Sequence, residues 1–385
     1  MDRQVELDWL RGLMLVLMTV THLPTWFSSN VGQPFGFVSA AEGFVFLSAF
    51  LVGSVYAQKA RKRGYLAMRR ALWGRALKVY CAHVALLLFL FWLLVPLATH
   101  RGAHAITDLA TFYINRPHVG LISGLLLAYN PPLLDILPMY VVFLVLSPLV
   151  IDHASRRGWG ALLMVSAGLW LFAQIGGGRH VYDSVARLVE WPVPYSQTGA
   201  FSVLAWQMMW LIGLRAGVMQ ADAGAAGIAR NPWPRPVIWT AATLVAFFFV
   251  WRHVSGQLPF GSDAGLGALF DKWHLGPLRL LNFAALAILV VAGRRLLVAW
   301  ARKSTITTLG RASLTVFSVH LLVCLAVLAA VGDVVQPHVG LADTMLVAGT
   351  LVTLYAVARA MLEGGEALRM RWAALRAEVS ARVAR

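Results

Sequence analysis

The chain has 385 residues, 59% of them hydrophobic and 13% charged, with a mean hydropathy of +0.69. A soluble domain carries about a quarter charged residues, so a globule that faces water on all sides is excluded. The net charge of +16 would mark a soluble chain as a nucleic-acid binder; here it reads as basic connections lying against anionic lipid headgroups, and nucleic acid is not an expected partner.

Apolar runs long enough to cross a hydrocarbon core, about 20 residues each, predict spans at 9–27, 36–57, 77–98, 135–151, 160–176, 199–217, 236–252, 278–298, 312–331 and 342–362. The first run follows acidic as well as basic residues and no A-x-A cleavage site succeeds it, so it reads as a retained span. Lys and Arg gather on alternate connections, which predicts both termini on the cytoplasmic side. The expected fold is therefore all-α: a polytopic integral membrane protein of about ten transmembrane helices, N-in and C-in, with a bundle over 1–362 and a basic cytoplasmic tail over 363–385 that forms a short helix on the inner surface. The longest connection, 99–134, holds an amphipathic stretch at 106–114 that predicts a helix along the membrane surface. Cys81 and Cys324 both fall in apolar runs and read as small buried hydrophobes. No connection is large enough for its own core, so the chemistry must lie on the spans.

Ionisable residues inside spans are costly and mark function. The first span carries Asp8, Arg11 and His22. Arg11 sits at its inner edge, and His22 lies about 16 Å further along a helix at 1.5 Å per residue. The second span returns inward and brings Glu42 to the depth of His22. A carboxylate beside an imidazole fixes its tautomer, and an imidazole so held can take a proton from a hydroxyl. His22 is thus the expected base and Glu42 its orienter. Small residues around Glu42, from Ser39 through Ser48 and Ala49, predict close helix approach. Arg75 and Lys78, one turn apart at the mouth of the third span, are expected to hold donor phosphates. Tyr80, His83, Tyr140, Gln207 and His320 are further polar residues within spans, expected to support the site. The histidines and acids of the connections fit no zinc spacing, so no metal is expected. Trp191, Tyr195, Phe260 and Trp273 are candidates to stack on sugar rings or to form interfacial belts.

These residues lie in stretches that resemble a known family. They are LDWLRGL at 7–13 with His22-Leu-Pro24, FGFVSAAEGFVFLS at 35–48, RALKVYCAH at 75–83, LPMY at 137–140, LAWQ at 204–207 with Gly213, and LGRASLTVF at 309–317. The R-x10-H pair Arg11 and His22 resembles the signature of the membrane acyltransferase-3 superfamily. The six stretches in order resemble, within it, the osmoregulated periplasmic glucan succinyltransferase family, OpgC. The resemblance implies a bacterial inner-membrane enzyme that moves an acyl group, succinyl in that family, from cytoplasmic acyl-CoA to a hydroxyl of a periplasmic glucan. It implies no tightly bound cofactor, with succinyl-CoA as a donor substrate. It also implies His22 as base or acyl relay, and Arg11 with Arg75 and Lys78 at the donor. Three positions depart from the pattern: Ala49 replaces a common Gly, Thr21 a common acid, and Lys78 a common Arg. The competing expectations are a proton-coupled transporter or flippase of a polar or glycan solute, which intramembrane His and Glu also serve, and a structural partner in glycan synthesis.

Overall fold

Long apolar runs interrupted by Gly, Pro and short polar turns fold into helix after helix, and the described residues contain no strand. The computed structural model describes residues 4–31, 33–229, 233–333 and 338–383; the side chains of 225–229, 366 and 368–383 are outside that description. Ten long helices follow in order: α1 Val5–His22, α2 Ala40–Arg63, α3 Tyr65–Arg101, α4 Ile136–Arg157, α5 Gly160–Gln174, α6 Val203–Ala229, α7 Arg235–Ser255, α8 Pro277–Ala292, α9 Ser313–Val331 and α10 Leu341–Val383. Shorter helices join them.

Six of these, α2, α3, α4, α7, α9 and α10, are long and apolar enough to cross a membrane. Two more qualify if a bent pair counts as one span: α5 with Gly177–Leu188, turning by 81°, and α8 with Arg294–Ala301, turning by 71°. That makes six to eight apolar spans, against the expectation of about ten. The shortfall falls on α1 and α6. Glu6, Asp8 and Arg11 all lie in the first half of α1, and Gln207, Arg215 and three tryptophan or glutamine neighbours dilute α6. Both helices are nonetheless central. Leu15 in α1, and Ala205, Trp206 and Leu214 in α6, have no exposed surface.

The most extensive helix contact is that of α2 on α6. Gly213 and Gly217 stand one turn apart on α6, and a Cβ at either would strike α2 backbone at Phe46 or Phe50. Ala49, one of the small residues expected to permit close approach, faces Gly213. Without a hydrophobic drive between helices in lipid, such backbone approach supplies the packing. At one end of the crossing Arg61 pairs with Asp222 and donates to the Ala221 carbonyl at 3.2 Å.

Several local expectations change. The stretch at 106–114 is not one surface helix: it breaks at Ala110 into His104–Leu109 and Thr111–Asn115, and Ile106 is fully buried. Its apolar residues serve the core, not the surface. The tail does not begin a new helix, because α10 runs unbroken from Leu341 to Val383. Cys324 is buried as expected, but Cys81 is exposed on the outside of α3. In α3 a π-helical turn at Phe89–Leu94 precedes Pro96; the wider turn accommodates a ring that cannot donate.

Replacing Gly217 by Val should therefore separate α2 from α6 and sharply lower the yield of monodisperse protein. Gly74→Ala, where an added Cβ meets nothing within 4 Å, should leave it unchanged. Size-exclusion chromatography in detergent checks the pair.

Candidate active site

Four helices bring polar groups together, and the partners are not those that matching depth suggests. Glu42 is wholly enclosed at the start of α2. It closes a capping box: Ser39 N–H and Oγ–H donate to its Oε2 at 3.0 and 2.6 Å. Its Oε1 accepts from Nε of Arg279, a buried ion pair with α8. The expectation that Glu42 orients His22 is thus corrected. Depth along a helix says nothing of the direction a side chain faces, and the Glu42 carboxylate faces α8. Arg279 is not among the residues singled out from the sequence. The signal available was its place in the first turn of an apolar helix, with Asn282 one turn on. Asn282 is also fully buried and accepts from Phe37 N–H at 2.9 Å.

His22 finds its partner on α9. Its Nδ1 lies 3.2 Å from Nε2 of His320, and the two rings stack with centroids 5.4 Å apart. Nδ1 of His320 lies 2.6 Å from the Phe317 carbonyl. A carbonyl only accepts, so His320 Nδ1 carries the proton. In a neutral ring Nε2 of His320 is then an acceptor, and Nδ1 of His22 must be the donor. That leaves Nε2 of His22 with its lone pair. The half-buried His22 ring is thus held by His320, which is wholly buried. His320 was among the expected supporting residues.

Arg11 lies at the other end of α1 and donates to Ser313 Oγ. Together with the half-buried Arg75 it lines a narrow cavity of about 30 Å³, room for a couple of waters. Ser48, Tyr140, Trp210, Phe44 and Phe317 line the rest. The Tyr140 hydroxyl donates to the Phe44 carbonyl at 2.9 Å. Phe44 and Phe317 stack at 5.7 Å and close the cavity on the side of the histidines, for His320 packs edge-on to Phe317 at 4.9 Å.

The remaining expected residues sit apart. Lys78 is exposed on α3 and does not share the cavity with Arg75, although the two lie one turn apart; three residues turn a helix by about 300°, which leaves the two side chains about 60° apart around its axis. Asp8 is buried one turn before Arg11. The Tyr80 hydroxyl donates to the Leu125 carbonyl at 3.0 Å, and His83 is enclosed near Gly124, so neither lines the cavity. Gln207 clamps α6 to α5: its amide donates to the Ser166 carbonyl at 2.8 Å and its oxygen accepts from the Ser166 hydroxyl at 2.8 Å. Among the described residues no group of three or more His, Cys, Asp and Glu could hold a metal ion.

Beside Glu42 and His22 stands the connection 271–276, folded tightly by its own side chains. Asp271 accepts from Trp273 N–H at 3.0 Å, from His274 N–H at 3.2 Å and from His274 Nδ1 at 2.5 Å. That last bond holds the His274 imidazole above its usual value. Side chains of α5 and α6 staple the turn: Gln174 donates to the His274 carbonyl at 2.6 Å, and Trp206 to the Trp273 carbonyl at 3.1 Å. Asp135, at the position before α4 and buried nearby, accepts from Ala200 N–H at 2.9 Å.

The apolar helices mark a membrane protein, and polar groups are enclosed among them. Over residues 3–363 the chain matches the family described as OpgC protein. It belongs to that family, whose name points to a transferase that modifies glucans. No curated protein and no solved structure matches the chain.

Removing one partner of a buried ion pair leaves the other charge stranded, at about 3–5 kcal/mol. Glu42→Ala should therefore lower the thermal midpoint in detergent substantially, while His22→Ala, at a half-buried ring, should leave it close to wild type. Nearly equal midpoints for the two variants would show that Glu42 is not the structural tie described here.

Proposed function

We propose that the protein is an acyltransferase of the bacterial inner membrane, within the membrane acyltransferase-3 superfamily, that esterifies a hydroxyl of a periplasmic glucan with an acyl group, succinyl, from cytoplasmic acyl-CoA. Family membership supports the transferase class and the glucan. The observation that carries the mechanism is the hydrogen-bond chain from the Phe317 carbonyl through His320 to His22, which leaves Nε2 of His22 free to accept a proton.

In this reading α1 and α6 cross the membrane with the eight apolar spans, giving ten, and both termini are cytoplasmic. Arg11 and Arg75 then face the cytoplasm and receive the donor's phosphates; the cavity above them takes the acyl arm once Phe44 and Phe317 part. His22 lies in the periplasmic half. The acceptor approaches from a groove of about 700 Å³ lined by Tyr182, Asp183, Arg187, Glu190 and Trp191, groups that stack on and hydrogen-bond to sugars.

Nε2 of His22 takes the proton of the sugar hydroxyl as its oxygen attacks the thioester carbonyl. The C–O bond forms, the C–S bond breaks, and the imidazolium returns its proton to the departing thiolate. His320 holds the ring while it is charged, because its Nε2 accepts from Nδ1–H of His22. The same free Nε2 would also serve an acyl-histidine intermediate, in which it attacks first and the hydroxyl second.

A transporter would use the histidine pair as a proton relay. The closed Phe44–Phe317 contact and the family favour group transfer. Mass spectrometry of periplasmic glucans from cells carrying His22→Ala should show acylation reduced by at least about 10²-fold at normal protein level. Unchanged acylation would overturn the assignment of His22.

A further inference from the structure

Lys272 stands out because its charge has no evident use. It sits at the tip of the stapled 271–276 turn, half-buried, with Nζ 4.7 Å from the ring centre of Trp273 and 5.7 Å from that of Phe201. Its field reaches Glu42, Arg279, Asp135 and the His22 ring. Yet among the described residues no carboxylate lies within ion-pair distance of it. The neighbouring acids are engaged elsewhere. Glu42 is taken up by Arg279 and Ser39, and Asp135 accepts from the Ala200 backbone. Burial holds the Lys272 ammonium below the usual lysine range, with Glu42 opposing. A second donor points the same way: Nη2 of Arg279 is buried and has no hydrogen-bond partner. Lys272 and Arg279 thus stand with Glu42 and Asp135 at the histidine end of the bundle, and of the two cations only Arg279 is in ion-pair contact with a carboxylate.

A cation outside ion-pair contact in a partly enclosed place, carried on a turn that side chains of α5 and α6 hold, suits an anion receptor. The anion must come with the substrate, and it must lie beside His22. The phosphates of the donor belong with Arg11 and Arg75, at the opposite end of α1. A neutral glucan supplies no anion. We propose that Lys272, with Nη2 of Arg279, binds a free carboxylate at the far end of the acyl group during transfer, so that the enzyme selects dicarboxylic acyl groups over uncharged ones of equal length. The inference rests on the acyl-transfer reading of His22. It makes Lys272 a specificity-determining residue, with no part in bond making.

The test uses the full chain in detergent or nanodiscs, with glucan extracted from the host as acceptor and two donors, succinyl-CoA and butyryl-CoA. These match in chain length and differ in the terminal carboxylate. Wild type should favour succinyl, and Lys272→Met should lower the succinyl-to-butyryl ratio of kcat/KM by about tenfold or more. Lys272→Arg should retain most of the preference. A ratio unchanged in folded Lys272→Met overturns the proposal, as does a wild type with no preference. A second measurement avoids the variants: the labelling of Lys272 by a water-soluble amine reagent, followed by peptide mass. Succinyl-CoA should slow it and butyryl-CoA should not; equal protection by both, or by neither, contradicts the proposal. His22→Ala serves as the control for the underlying reading. If it transfers both acyl groups at wild-type rates, the catalytic assignment fails and the selectivity proposal falls with it. A failure confined to Lys272 leaves that assignment standing.

Discussion

Inside a bundle of apolar helices a polar group cannot turn to water, so it must find its partner on another helix or leave its desolvation uncompensated. That requirement organises this protein. Glu6 of α1 takes Arg294 at the bend after α8, Arg11 of α1 takes Ser313 at the start of α9, Glu42 of α2 takes Arg279 of α8, and His22 of α1 takes His320 of α9. Each pair joins helices far apart in sequence. Together they tie α1 and α2 to α8 and α9, and the apolar packing of α2 on α6 completes the frame. The bend at Gly293 has a role in this frame: it turns Arg294 back onto Glu6, with Nε donating at 2.8 Å.

The same pairing divides the interior. One end holds Arg11 and Arg75 above a small cavity; the other holds the two histidines, the Glu42–Arg279 pair and Lys272. Between them stand Phe44 and Phe317 in contact. Phe317 contributes twice, since its ring closes the cavity and its carbonyl sets the tautomer of His320. A shift of α9 that opened the ring contact would also move the carbonyl that holds His320, so the cavity wall and the histidine pair share one element.

Much of the fold was legible in the sequence, because span-length apolar runs leave little choice but helix. Each of the ten expected runs coincides with a long helix. What composition could not settle was whether α1 and α6 are apolar enough to span, since both hold polar residues that the interior uses. For the site, the stretches that carry the family resemblance hold Arg11, His22, Glu42, Arg75 and Tyr140, and His320 stands out as a polar residue within a span; all six are buried or half-buried. Their pairing was not legible. A residue turns by about 100° per step along a helix, so two groups at one depth face each other or face apart depending on helix rotation, and that is set by the packing of Gly213 and Gly217 and by Arg279. Lys272 was hidden for another reason: it lies on a connection, and side-chain hydrogen bonds from α5 and α6 hold that turn against the bundle.

The proposed role of His22 requires that His22 and His320 act as one unit. A double-mutant cycle on acyl transfer, with His22→Gln, His320→Gln and the double variant in purified protein, tests this directly. Residues that act as a unit are non-additive, so the double variant should be about as slow as His22→Gln alone, and the loss in His320→Gln should vanish in its background. Independent, additive losses would contradict the hydrogen-bond chain as the origin of the base.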